Sequence, residues 1–193
     1  MTGPVPERPG AGGAKSGRDE TPRHLVLVGL MGAGKSTVGA RCAERLGRAF
    51  VDTDELIVAV AGVPFETLWA AEGEEGFRIR ERAAVADVAA SPAPLVISCG
   101  GGAVLDPDNR RALRAAGVVV LLDATSEALA SRLTHDDTRP LLRGGDRTAT
   151  LERLRAQRAP AYEAAAHVTI DTAGRTIDDV ADAVLEEFAR CAA

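Results

Sequence analysis

The fold is decided by the stretch HLVLVGLMGAGKST, residues 24–37. Its first half is a short apolar run, as expected for a β-strand that is buried on both faces of a parallel sheet. Its second half has the pattern Gly-x-x-x-x-Gly-Lys-Ser, starting at Gly29, and a helix-length amphipathic segment follows. This order predicts a phosphate-binding loop, in which backbone N–H groups and a helix N-terminus surround phosphate oxygens.

The lysine of this loop stands out in the composition. Only two of the 23 basic residues are lysines, Lys15 and Lys35. A compact ammonium group fits a phosphate pocket that a planar guanidinium would overfill, so we expect Lys35 to bridge the β- and γ-phosphates of a nucleotide and Ser36 to ligate Mg²⁺. The expected nucleotide contacts in the loop are Gly32, Ala33, Gly34, Lys35, Ser36 and Thr37.

Four more apolar runs alternate with helix-length segments along the rest of the chain. They cover residues 49–52, 95–99, 118–123 and 167–171. Helices are predicted over 36–47, 53–61, 65–71, 74–90, 107–116, 125–133, 148–165 and 176–191. The pattern predicts an α/β fold with a five-stranded parallel sheet flanked by helices. Ligands bind such sheets outside the carboxyl ends of the strands, so the site is expected there.

Two segments lack the composition of packed elements. Residues 1–22 are rich in glycine and proline and have no apolar stretch, which predicts a disordered tail before a single domain at 23–193. Residues 134–147 combine a proline, paired glycines and mixed charge between two helices, which predicts a mobile loop.

Composition excludes several classes of function. The chain has 193 residues, a net charge of −5 and only 3% aromatic side chains, whereas nucleic-acid binders usually carry basic surfaces and stacking aromatics. No apolar run is long enough to span a bilayer. Three cysteines without close spacing are typical of reduced cytosolic thiols, and no metal-ligand spacing is present. We therefore expect a cytoplasmic protein with no nucleic-acid or membrane partner and no structural metal.

Two carboxylates follow the second predicted strand, in Asp52-Thr53-Asp54. Alternate residues of an extended chain face the same side, so both are expected beside the phosphate loop. One could order Mg²⁺ through water while the other accepts a hydroxyl proton. Asp52 or Thr53 is equally well explained as a helix cap. Asp123, at the end of the fourth apolar run, is a rival for the metal carboxylate, and the pattern does not choose between it and Asp52.

Further polar groups follow in a helix and after the third strand. Arg78 and Glu81 are three residues apart and share a helix face, so Glu81 could hold the arginine in place. An ordinary surface ion pair is the commoner outcome of such spacing. Three glycines at 100–102 indicate either close approach of the backbone to another group or a tight turn.

Together these motifs resemble those of the shikimate kinases. The similar segments, in chain order, are GLMGAGKSTVG (29–39), DTD (52–54), GEEGFRIRE (73–81), GGG (100–102), RPLL (139–142) and RAPAY (158–162). The resemblance implies a P-loop NTPase fold of the nucleoside monophosphate kinase type with a mobile lid at about 134–147. It also implies ATP-dependent phosphorylation of the 3-hydroxyl of shikimate, a step towards chorismate and the aromatic amino acids.

By that resemblance the substrate contacts can be assigned residue by residue. Asp54 contacts the substrate hydroxyls as base or orienting carboxylate, and Arg78 and Arg158 bind the shikimate carboxylate. Three glycines line the same pocket: Gly100, Gly101 and Gly102. Trp69, with Phe77, either lines this pocket or belongs to the core.

The nucleotide contacts follow in the same way. Lys35 is catalytic, and Arg139, in the lid, contacts the transferring phosphate. Arg132 lies on the adenine side, and Arg175 is a further candidate there that stays open. One Mg²⁺ ion accompanies ATP, held by Ser36 and, through water, by Asp52.

The resemblance thus implies an enzyme whose partners are ATP and shikimate, and we expect it to be a monomer. Two other functions compete with this one. They are a regulatory module that binds a nucleotide without catalysis, and a kinase of the same fold that acts on another small metabolite such as gluconate.

Overall fold

The computed structural model describes residues 23–133 and 146–192. The predicted tail at 1–22 lies outside the described residues. So does most of the predicted lid, including Arg139, because residues 134–145 are not described.

The five predicted strands form one sheet. They are β1 (His24–Val28), β2 (Ala49–Asp52), β3 (Leu95–Ser98), β4 (Gly117–Asp123) and β5 (Val168–Asp171). Their order is β2-β3-β1-β4-β5, and every neighbouring pair is parallel. All five residues of β1 are buried, as expected for a central strand that is covered on both faces. The predicted fold class is confirmed.

The helices surround this sheet. They are α1 (Lys35–Leu46), α2 (Thr53–Ala61), α3 (Phe65–Ala89), α4 (Pro107–Ala116), α5 (Ser126–Arg132), α6 (Arg147–Ala165) and α7 (Ile177–Ala192), with a short 3₁₀ turn at Ala103–Leu105. Within α3, Gly73 has φ 68° and ψ −170°, which is not a helical conformation. The sequence predicted two helices that meet at this point, and the break is confirmed.

The core has a large and a small part. The large part lies around β1 and β4. The small part contains Ile57, Leu68, Phe77 and Ala84, with Phe65 and Trp69 packed against it, and it joins α2 to α3. Across the described ranges no single helix is long and apolar enough to cross a membrane, and α2 and α3 reach that length only together, across a 101° bend.

The sheet order places the loops that carry the site. β1 lies between β3 and β4. The chain builds β2 and β3 on one side of β1, and it then builds β4 and β5 on the other side. A crevice forms where the strand order reverses in this way, outside the carboxyl ends of the strands. The segments after β1, β2 and β3 therefore meet at one edge of the sheet.

Candidate active site

The loop between β1 and α1 has the backbone of a phosphate site. Gly29 has φ 144°, and a Cβ at this position would overlap the carbonyl oxygen of Leu122 in β4, so only glycine fits. Gly34 is left-handed, with φ 91°, and directly precedes α1. Because glycine has no side chain to cap the helix, the first N–H groups of α1 are left for a ligand.

A cavity of about 440 Å³ lies over this loop. The predicted nucleotide contacts among the described residues all line it: Gly32, Ala33, Gly34, Lys35, Ser36, Thr37 and Arg132. The Lys35 ammonium donates to the carbonyl oxygen of Leu30 at 3.0 Å, which holds it over the loop.

Arg132 joins the two sides of the nucleotide cavity. Its guanidinium donates to the carbonyl of Gly32 at 3.2 Å and to the hydroxyl and carbonyl of Thr172 at 3.0 and 2.7 Å. Arg175 also lines this cavity, and it donates to the carbonyls of Asp171 and Asp179 at 3.3 and 2.7 Å. Both arginines thus border the nucleotide cavity, and Arg132 contacts the phosphate loop as well.

A second cavity, of about 490 Å³, adjoins the first and shares Met31, Lys35 and Ser36 with it. Apart from the shared Lys35, its charged lining consists of five carboxylates and two guanidinium groups: Asp52, Asp54, Glu55, Glu66, Glu81, Arg78 and Arg158. These residues come from the end of β2 and from α2, α3 and α6. The fold therefore brings the predicted substrate residues to one cavity next to the phosphate loop.

Asp52 combines two of the roles that the sequence offered. Its Oδ1 accepts the backbone N–H of Asp54 at 3.0 Å and so caps α2, while its Oδ2 accepts the Ser36 hydroxyl at 2.7 Å. The rival carboxylate, Asp123, is paired with Arg155 at 3.1 and 2.5 Å and lines neither cavity. The geometry favours Asp52 as the carboxylate near a nucleotide-bound cation.

Arg78 and Glu81 form a pair that is not a surface pair. Glu81 is only 2% exposed, and its Oε2 accepts from Arg78 Nη1 at 2.7 Å. Arg78 Nη2 also donates to Glu74 at 3.0 Å. Burial raises the pKa of Glu81, and the nearby Asp54 adds to this rise, although the Arg78 guanidinium opposes it. Glu81 Oε1 has no hydrogen-bond partner among the described residues.

The three glycines allow close approach of the backbone to these charged groups. A Cβ at Gly102 would overlap the Arg78 guanidinium. Arg158 is 6% exposed and donates to the carbonyl of Gly101 at 2.8 Å. Gly100 lies behind the cavity rather than on its surface, and a Cβ there would lie 2.8 Å from Glu81 Oε1.

Trp69 both belongs to the core and lines the pocket, the two alternatives that the sequence left open. Its ring lies 5.5 Å from those of Phe65 and Phe77, centroid to centroid, and these aromatics belong to the small core between α2 and α3. All three also line the 490 Å³ cavity. The core cluster thus forms the apolar side of the cavity.

Two hydroxyl residues have positions in the site that the sequence did not predict. Thr53 is fully buried and its hydroxyl accepts the backbone N–H of Gly100 at 2.9 Å, which ties the glycine segment to α2. Ser98 lines the 490 Å³ cavity beside Asp52, its partner in the sheet register, and its buried Oγ has no partner in the described chain. A polar residue at the end of an apolar strand was the available signal for Ser98.

Comparison with known proteins agrees with this geometry. The family model described as shikimate kinase matches residues 31–189. A shikimate kinase from Symbiobacterium thermophilum is 51% identical over 167 residues, which are 86% of this chain and 95% of that protein. One from Dechloromonas aromatica is 45% identical over 168 residues, 87% and 91% of the two chains. The chain belongs to the shikimate kinase family.

Solved structures of the shikimate kinases show the same fold. The structure of shikimate kinase from Acinetobacter baumannii in complex with shikimate has a TM-score of 0.85 and 37% identity, covering 89% of this chain and 96% of that one. A gluconokinase from Sinorhizobium meliloti, at 23% identity and a TM-score of 0.61, shares the fold alone. As a shikimate kinase family member, the chain is an ATP-dependent kinase rather than a regulatory module.

Proposed function

We propose that this protein transfers the γ-phosphate of ATP to the 3-hydroxyl of shikimate, giving shikimate 3-phosphate and ADP on the route to chorismate. The observation that carries this proposal is the cavity beside Lys35, which combines Asp54 with the guanidinium groups of Arg78 and Arg158. A small hydroxy-acid presents a carboxylate and hydroxyls, and these are the groups that such a lining recognises.

The roles within this cavity follow from the charges. Arg78 and Arg158 bind the substrate carboxylate, because a guanidinium offers two parallel N–H donors to two oxygens. Glu81 holds Arg78 in place. Asp54 orients the reacting hydroxyl and accepts its proton as the oxygen bonds to phosphorus. Gly101 and Gly102 complete the substrate side, whereas Gly100 lies behind it and not on the cavity surface as the sequence predicted.

The nucleotide occupies the 440 Å³ cavity, with its phosphates on the loop. Gly32–Thr37 surround the phosphates, Lys35 neutralises the transferring group, and Arg132 lies by the adenine. The donors beside the loop suit Mg²⁺, which prefers oxygen ligands. They are the Ser36 hydroxyl, the Asp52 carboxylate acting through water, and the Ser98 hydroxyl, which has no hydrogen-bond partner among the described residues. When bound with ATP, the ion neutralises phosphate charge.

The remaining parts of the proposal concern the lid and the chain as a whole. Arg139 lies outside the described residues, and its contact with the transferring phosphate stays a prediction. Closure of the lid over the nucleotide also stays a prediction. We also propose a cytoplasmic monomer formed by residues 23–193, with no nucleic-acid or membrane partner. The free thiols of Cys42, Cys99 and Cys191 support the cytoplasmic location, and the negative net charge supports the absence of a nucleic-acid partner.

The alternative substrate is another hydroxy-acid such as gluconate. ADP release, coupled to NADH oxidation and followed with Mg²⁺ and ATP, should depend on added shikimate. ADP release that ignores shikimate and rises with gluconate would contradict the proposal.

A further inference from the structure

Tyr162 ends the RAPAY segment and lines neither cavity. It is the only tyrosine in the chain, and it lies four residues after Arg158 on α6, hence on the same face of the helix. The side chain is 4% exposed. Its hydroxyl donates to the carbonyl oxygen of Gly101 at 2.6 Å, and this oxygen also accepts from Arg158 Nη1 at 2.8 Å.

The shared oxygen of Gly101 links α6 to the glycine segment. A carbonyl has two lone pairs, so it accepts both donors at once. Gly101 in turn lies against the phosphate loop, since a Cβ on it would be 3.6 Å from the Gly29 oxygen and 3.8 Å from the Met31 nitrogen. Hydrogen bonds through this oxygen therefore connect α6 to the glycine segment, which itself packs against the phosphate loop.

These hydrogen bonds constrain Arg158 from the side away from the ligand. Arg158 lines the 490 Å³ cavity, whereas Tyr162 does not. An arginine side chain has many rotamers, and a binding site that does not restrict them must order the side chain when the ligand arrives. Burial raises the pKa of Tyr162 to about 12, so the hydroxyl remains a donor at neutral pH.

We propose that Tyr162 is a positioning residue for the substrate carboxylate. By donating to the carbonyl of Gly101, it fixes the orientation in which Arg158 presents its other N–H groups to the cavity. This inference rests on the proposed function, in which Arg158 binds the carboxylate of shikimate.

The test is Tyr162→Phe, which removes the hydroxyl and keeps the ring. The KM for shikimate should rise about fivefold, the equivalent of one ordinary hydrogen bond, while kcat and the KM for ATP stay within about twofold. Val184→Ala in α7 is the matched control, because Val184 is fully buried and lines neither cavity. It should lower stability and leave the KM for shikimate unchanged.

If both variants lose stability and neither changes the KM for shikimate, Tyr162 is only a core residue and the inference is overturned. Dependence of the wild-type enzyme on shikimate is measured in the same assay. Its absence would refute the proposed function, whereas its presence together with an unaffected Tyr162→Phe variant would refute the inference alone.

A second measurement uses the wild-type protein and does not depend on how the variant folds. Because the chain has one tyrosine, ¹³C labelling at Cζ of tyrosine gives one resonance that needs no assignment. Saturating shikimate should shift this resonance, since carboxylate binding changes the charge beside the hydroxyl. An unchanged resonance would overturn the inference.

Discussion

Replacing Gly102 with alanine should weaken shikimate binding without unfolding the protein. Gly102 has φ −107° and ψ −9°, which alanine can adopt, but a Cβ there would overlap Arg78 Nη1 and lie 2.5 Å from Cζ and Nη2. Ordinary contacts are about 3.5 Å, so the guanidinium must move by about 1 Å.

That movement changes how Arg78 binds the substrate carboxylate and leaves the packing of the core unchanged. Moving the guanidinium lengthens the 2.7 Å hydrogen bond from Arg78 to Glu81. To bind the substrate carboxylate, Arg78 would have to return towards its original position, and the free energy of that return would be taken from binding. A hydrogen bond to a charged group contributes about 1.5–3 kcal/mol, which corresponds to a roughly 10- to 100-fold rise in the KM for shikimate. Stability should change less, because exchanging glycine for alanine restricts the unfolded chain and offsets about 0.4–1 kcal/mol of the loss.

The adjacent residue provides the control. In Gly101→Ala the new Cβ would lie 3.4 Å from Arg158 Nη1 and 3.6 Å from the Gly29 oxygen, which are ordinary contacts. Its KM for shikimate should stay within about threefold of wild type. Coupled kinetics give the KM values and guanidinium titration gives the stability. A folded Gly102→Ala enzyme with unchanged KM, or equal effects of the two substitutions, would refute the reasoning.

Three further predictions follow from the same structure. Asp54→Asn should reduce kcat by about 100- to 10,000-fold while ATP affinity in a nucleotide titration stays nearly constant; equal losses in both would mean that Asp54 is structural. The emission of Trp69, the only tryptophan, should change when shikimate is added, and an unchanged spectrum would leave it a core residue only. His24 accepts a backbone N–H through Nδ1, and burial, assisted by the charge of Arg48, keeps its pKa below 6.5. As the pH falls, the unfolded chain binds a proton at His24 at a higher pH than the folded chain does. The contribution of neutral His24 to the free energy of unfolding is therefore present above pH 6.5 and is lost on acidification. His24→Asn keeps an acceptor that does not titrate, so its stability deficit relative to wild type should narrow from pH 7 to pH 5 in denaturant titrations; a constant deficit would contradict this.

Features that depend on local sequence could be predicted. The phosphate loop needs only a buried strand, spaced glycines and a following helix, and these are contiguous in residues 24–37. The break in α3 was also visible, because Gly73 interrupts two amphipathic segments. The five strands followed from apolar runs that are typical of a sheet covered on both faces.

Features that depend on contacts between residues distant in sequence could not be predicted. Asp52 and Asp123 both end apolar strands. They are separated by contacts distant in sequence: Asp52 accepts from Ser36, whereas Asp123 pairs with Arg155, 32 residues away. The contact from Tyr162 to Gly101 spans 61 residues and needs the register of α6 against the glycine segment. Side-chain spacing along one element carries no information about that register.

The central claim is that phosphate is transferred to one particular hydroxyl of shikimate. The most direct test is ³¹P–¹H correlation NMR of the product formed from ATP, Mg²⁺ and shikimate by the full chain. We expect an organic phosphate whose phosphorus couples to the proton on carbon 3, with ADP formed in equal amount. Inorganic phosphate alone, or a phosphate on another hydroxyl, would contradict it.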